Sequence, residues 1–239
     1  MTSTLTSTAV SAVAEDAETG VAHDLYREIH KGIRYALFHT TMHAGRLDAG
    51  DADDVENLLC RCTDLVELLH LHHHHEDGFV QPLLDAHAPA LAAAVGSQHD
   101  AIESGLTELR RLGQQLTIVS HSGRDTVAHR LYLHLSRFTG EYLDHQLLEE
   151  LQVMPALCAA VPTSELESLH AALRQSVAPP VMADVMAVML PAMNVGERAD
   201  MLGGMSMAPA QVFAVFRRAA EAALTPAEFA EVATRIGLN

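Results

Sequence analysis

Histidine and glutamate recur in this chain at a spacing that suits metal ligation. The run "HLHHHHEDGFVQPLL", from His70 to Leu84, puts five histidines in six positions, and its spacing returns in "HQLLEELQVMPAL" from His145. At one common offset His72 matches His145, Glu76 matches Glu149, Asp77 matches Glu150, Val80 matches Val153, Pro82 matches Pro155 and Leu84 matches Leu157. A purification tag would have no such twin. Residues four apart on a helix lie about 40° apart in azimuth and one turn apart in height, so each His/Glu pair can aim at one interior point. Imidazole and carboxylate without thiolate suit iron, manganese or zinc. A glutamate has two oxygens and can bridge two ions or chelate one.

Two further segments, "HKGIR" from His30 and "HDAIE" from His99, share a His with an Ile three residues later. The chain therefore reads as two helix pairs related by a pseudo-twofold axis, each offering two histidines and a carboxylate, and two metals fit better than one. The expected ligands are His30, His72, Glu76, His99, His145 and Glu149, with Glu76 and Glu149 as bridges. Two residues extend the candidate metal set. His73, about 100° around the helix from His72, is an extra ligand or lines the helix interface. Glu103, one turn after His99, is a ligand or orients that imidazole from behind. His23 is the rival to His30 on the first helix. His39, His43, His70 and His74 read as surface residues, and Tyr142 and His134 as packing beside the inward stripe or as donors to a bound ligand. No Ser or Cys nucleophile with its own base is visible.

The elements that must carry these residues are helices. Nearly half the chain is apolar, but that half is Ala, Leu, Val and Met, with no Trp and 4% aromatics, a composition that favours helix over strand. Apolar positions recur at three and four over His23 to Arg46. They recur again from the aspartates at Asp51 to Pro82, where a kink or loosened last turn is expected. A third helix starts at Pro89, and a fourth runs up to Pro155. Four long amphipathic helices with short links predict an all-α fold: an antiparallel up-down four-helix bundle over residues 20–162, with a smaller helical subdomain over 163–239. In that subdomain Ser164 with Glu167, and Thr225 with Glu228, match the capping-box pattern. Met182, Met186, Met189 and Met193 share one stripe, expected to pack the subdomain or dock it on the bundle, or else to face a protein partner or gate the bundle.

A formal charge of −16, from 31 acidic against 15 basic residues, argues against nucleic acid as a partner. Three cysteines, two of them Cys60 and Cys62, give neither a disulfide framework nor a Cys-based zinc site. Residues 1–19 read as a disordered polar leader, resembling neither a signal peptide nor a membrane span. The expectation is a cytoplasmic protein without membrane association.

His30, the "HHHHED" segment, His99 and "HQLLEE" resemble the hemerythrin-like (HHE) cation-binding family over roughly residues 20–160. The resemblance implies a four-helix bundle holding a non-haem di-iron centre, two iron ions joined by an oxo or hydroxo bridge. The oxygen carriers of that family have a His where this chain has Glu103, and an Asp five residues after the fourth-helix His where it has Glu150 beside Glu149. The pattern is thus closer to the non-carrier members, which implies iron or oxygen sensing, or handling of oxygen, peroxide or nitric oxide as the small ligand. "ERADMLGGM" and "FAEVATRIGL" also look like the helical extension of some bacterial members, which brings no function with it.

Overall fold

The structure, a computed structural model, describes residues 23–238; the leader expected over 1–19 lies outside the described residues. Every regular element among the described residues is helical. The first long segment is α1, Arg27–Gly45. The second is α2, Ala52–His75, which passes through a π turn, Glu76–Val80, into α3, Gln81–His87. The third is α4, Pro89–Ile118. The fourth is α5, His121–Leu148, which passes through a second π turn, Glu149–Val153, into α6, Met154–Ala160. The C-terminal residues form α7, Thr163–Ser176; α8, Pro179–Met189; a 3-10 turn, Leu190–Ala192; α9, Val195–Met205; α10, Ala210–Ala223; and α11, Pro226–Arg235. No described helix is long and apolar enough to cross a membrane.

Local chemistry sets these boundaries. Asp51 caps α2 by accepting from the Asp53 and Asp54 N–H groups, which would otherwise be unsatisfied at the helix start. The Thr225/Glu228 capping box forms as the spacing predicts, and Asn194 with Glu197 forms another. The expected Ser164/Glu167 box does not form: α7 begins two residues earlier, at Thr163 behind Pro162, with no side-chain cap.

α1 packs against α2 and α5, and α4 also packs against α2 and α5. Each of the four long segments crosses the same three layers. A large apolar cluster contains Ile33, Leu69, Ile102 and Tyr142; a smaller one contains Tyr26, Val80, Val95 and Val153. The candidate ligands fall between those two clusters on all four segments, and the order of the layers along the chain reverses from each segment to the next. Gly105 is needed at the α4–α5 contact, because a Cβ there would lie 2.6 Å from Phe138 Cδ2.

A third apolar cluster, with Met186, Leu202, Phe216 and Val232, lies within the C-terminal helices. Met186, Met189 and Met193 of the methionine stripe are buried in it. Leu166 of α7 packs instead with the smaller apolar cluster of the long segments.

Candidate metal centre

Proline fixes where the glutamates stand. Pro82 and Pro155 have no N–H, and their rings would meet the carbonyl four residues back in a regular helix. The chain widens just before each: the Gln81 N–H donates to Glu76 O, and the Met154 N–H donates to Glu149 O, five residues back in both cases. Each π turn thus starts at a candidate ligand, and such turns are common at functional sites. The V-x-P of the twin motif is the sequence signature of this turn, with Val80 and Val153 buried beneath it.

The side chains converge into two overlapping groups. His30, His72, Glu76 and Glu149 form one, and His73, Glu76, His99 and His145 form the other; within each group the ligand atoms lie within 4.8 Å of one another. Glu76 belongs to both. Its Oε1 is 3.4 Å from His72 Nε2 and its Oε2 is 3.4 Å from His99 Nε2. Glu149 Oε2 sits 3.3 Å from His30 Nε2 and 3.4 Å from His145 Nε2, so a single oxygen faces both groups. Two donors each ~2.1 Å from one ion, at an angle near tetrahedral or octahedral, stand ~3.0–3.4 Å apart, the spacing seen here.

These donors have no other partner. Eleven buried side-chain N or O atoms among the described residues lack a hydrogen bond, and seven of them are His30 Nε2, His72 Nε2, both Glu76 oxygens, His99 Nε2, His145 Nε2 and Glu149 Oε2. At about 1–3 kcal/mol for each unsatisfied group, more where charged, the total is on the order of 10 kcal/mol. That rivals the whole stability of a typical domain. The donor set therefore fits cations, which would satisfy all seven atoms together.

The far nitrogens are anchored. His30 Nδ1 bonds Glu150 Oε1 at 2.9 Å, and Arg34 donates two hydrogen bonds to Glu150, at 2.7 and 2.9 Å. His99 Nδ1 meets Asp77 Oδ1 at 3.3 Å, and His145 Nδ1 meets Gln98 Oε1 at 3.0 Å. Acceptors behind an imidazole place the proton on that side and leave the Nε2 lone pair facing the site. Asp77 and Glu150 are the matched acidic pair of the twin motif, each holding the site histidine of a neighbouring helix. Spacing alone can match them but not assign that role; Gln98 and Arg34 carry no signal in the sequence.

Burial keeps three of the imidazoles neutral. It lowers His72, His73 and His145 to about 3. For His99 burial opposes protonation, but Glu76 and then Asp77 outweigh it and raise the group. Burial and then the Glu76 charge push Glu149 well above the ordinary carboxyl range, while His72 and His99 hold Glu76 well below it against burial, so without a cation one carboxyl of the pair keeps its proton. Burial also opposes ionisation of Glu150, yet hydrogen bonds from His30 and Arg34 hold it at about 2.

Seven of the eight candidate ligands meet in these groups; Glu103 does not. It is exposed, bonded at 2.8 Å to His70 Nε2 and lying 3.8 Å from Arg110. A full-length charged side chain with a cation within reach at the surface stays there instead of being desolvated. The third imidazole of that group comes from His73 on α2, whose Nε2 lies 3.1 Å from the buried Tyr142 hydroxyl. Of the other histidines only His43 differs from expectation: it is buried, whereas His70 lies at the surface and His23 leaves the site to His30. His43 is bonded to Asp54 at 2.8 Å. His70 is bridged by Glu103 and Arg110. His23 pairs with His170 at 3.0 Å, away from the centre. His39 and His74 are exposed as expected, and His134 bonds the Gly105 carbonyl as ordinary packing.

No family model, curated protein or solved structure matches this chain.

Proposed function

We propose that the protein is hemerythrin-like, its four long segments forming an antiparallel up-down bundle around two iron ions that bind or turn over a small oxidant: oxygen, peroxide or nitric oxide. One observation carries the metal reading, the convergence of seven unpartnered buried donor atoms on one polar layer between two apolar clusters. Nitrogen and oxygen donors without thiolate favour iron among abundant redox metals. Bound iron would supply Lewis acidity and electrons.

The chain's own residues do the rest. His73, His99 and His145 with Glu76 would hold one ion, and His30 and His72 with Glu149 and Glu76 the other. Glu76, with one oxygen toward each group, spans the two positions and ties their charges together. Glu150 and Asp77 hold His30 and His99 in the orientation that ligation needs. The surrounding apolar clusters exclude bulk water and strengthen each electrostatic contact.

The test is anaerobic loading of the purified chain with ferrous iron, followed by metal analysis and then by exposure to air, peroxide or nitric oxide with optical monitoring. Two irons per chain and an oxidant-dependent spectral change are expected. Zinc retained in preference to iron, with no spectral response, would reduce the centre to a structural role.

A further inference from the structure

We propose that the C-terminal helices act as a clamp on α1 that positions His30, so that the ion at the His30/His72 position is held firmly only while α8 is docked. This rests on the metal reading above and adds a control element to it. The inner side of α1 lies on α2 and α5, and its outer side lies on α8 and the 3-10 turn; the other three long segments make no comparably extensive contact with residues 177–238.

The contacts flank the ligand on both sides in sequence. Residues 30 and 32 are about 200° apart on a helix, so they face opposite sides. His30 points to the centre, while a Cβ at Gly32 would lie 2.9 Å from Met189 Cγ and 3.0 Å from Met189 Cα. Glycine is a poor residue for a helix interior, and this close backbone approach accounts for it. Lys31 forms an ion pair with Glu197 of α9, and Ile29 packs against both the bundle core and the C-terminal cluster. Arg34, one turn on, holds the carboxylate that orients His30. A shift of α1 therefore moves His30 and its support together. The His73/Glu76/His99/His145 position draws no ligand from α1 and meets the clamped position only through the carboxylates between them.

The experiment uses the full chain loaded with cobalt(II), read by visible absorption, metal count and far-UV circular dichroism. Gly32→Val forces α8 away from α1 on the face opposite His30. One cobalt is expected to be lost, or to bind at least ~10-fold more weakly, while the other keeps its spectrum and the helical signal stays. Loss of both ions in parallel, or retention of both at wild-type affinity, would overturn the clamp. Should Gly32→Val fail to fold, Met189→Ala, which empties the space over Gly32, decides by the same readouts. A wild-type chain that takes up no cobalt defeats the metal reading itself, whereas two ions in wild type and variant alike defeat only the clamp.

Discussion

On the α2/α4 side of the centre, His99 leans on Asp77, an exposed carboxylate whose one ion-pair partner among the described residues is that same histidine. On the α5/α1 side, His30 leans on Glu150, which Arg34 grips with two hydrogen bonds. His73 adds an imidazole to the first half. Its counterpart at the same offset, Gln146, is fully buried, donates to the His30 carbonyl at 3.5 Å and leaves its Oε1 unpartnered. The outer side of α1 is covered by α8, whereas among the described residues α4 has no such cover from the C-terminal helices. The internal repeat thus supplies the ligand types, and the residues around them make the halves unlike. One position has three imidazoles and a carboxylate; the other has two of each. On this geometry two cations would bind with different affinities, and the nitrogen-rich position is expected to fill first.

The most severe way to break the comparison is to remove the residue both halves share. Glu76→Ala should abolish binding of both ions, because one carboxylate oxygen faces each group. Glu149→Ala should cost the His30/His72 ion most and weaken the other in part, because its Oε2 also lies 3.4 Å from His145 Nε2. Metal analysis after dialysis checks both, and equal losses in the two variants would show that the halves do not act separately. Acid gives the next effect. In the metal-free chain His72, His73 and His145 are neutral in folded and unfolded states above about pH 6.5 and contribute nothing there. As pH falls from about 6.5 toward 3, the unfolded chain takes up protons that the folded one refuses, so stability drops by at most about 1.4 kcal/mol per pH unit per histidine. Urea midpoints measured across that range should fall steadily, with His73→Gln, which makes the halves alike, flattening the slope.

Changes one layer out should be milder and one-sided. Glu150→Gln weakens the carboxylate behind His30 and leaves Arg34 without its anion, so affinity at that position should drop by about 10–100-fold. Asp77→Asn acts on a carboxylate already screened by water, and its effect should be smaller, within ~10-fold, and confined to the His99 position. Isothermal titration resolves the two steps; identical losses for the two variants would contradict the asymmetry.

The ligand-bearing parts of the fold are legible in the sequence because they repeat. The twin motif marks both Glu positions, and the prolines mark where the helices loosen, although a full π turn emerges only in three dimensions. A 100° step places His73 beside His72, which is why it can be named without its side being known. Glu103 misleads because helical spacing says which residues share a face but not whether a surface cation lies within reach. Arg110, seven residues on, is that cation. His43 reads as exposed because its partner Asp54 sits across a turn, and periodicity within one helix does not register contacts between helices. The Gly32–Met189 approach is invisible for the same reason, since a helical glycine carries no information until its neighbour is known.

Glycine substitutions should move metal affinity least, and they test whether the seam between the halves is set by packing alone. At Gly105 a Cβ would press on Phe138 across the α4–α5 contact, so Gly105→Ala should cost about 1–3 kcal/mol of stability. Gly96 on α4 and Gly140 on α5 lie in helix interiors, where an added Cβ would meet nothing within 4 Å. Replacing either with Ala should stabilise by up to about 1 kcal/mol, because alanine gives up less backbone freedom on folding. Thermal unfolding of the metal-free chain separates the signs. If packing fixes the seam, the Gly96 and Gly140 variants should leave both metal affinities unchanged. Gly105→Ala, which sits one turn from Ile102 and two from His99, should lower stability without favouring either ion. A selective loss at the His99 position in Gly105→Ala would instead mean that the α4–α5 seam sets ligand geometry on its own half, as α8 is inferred to do for α1.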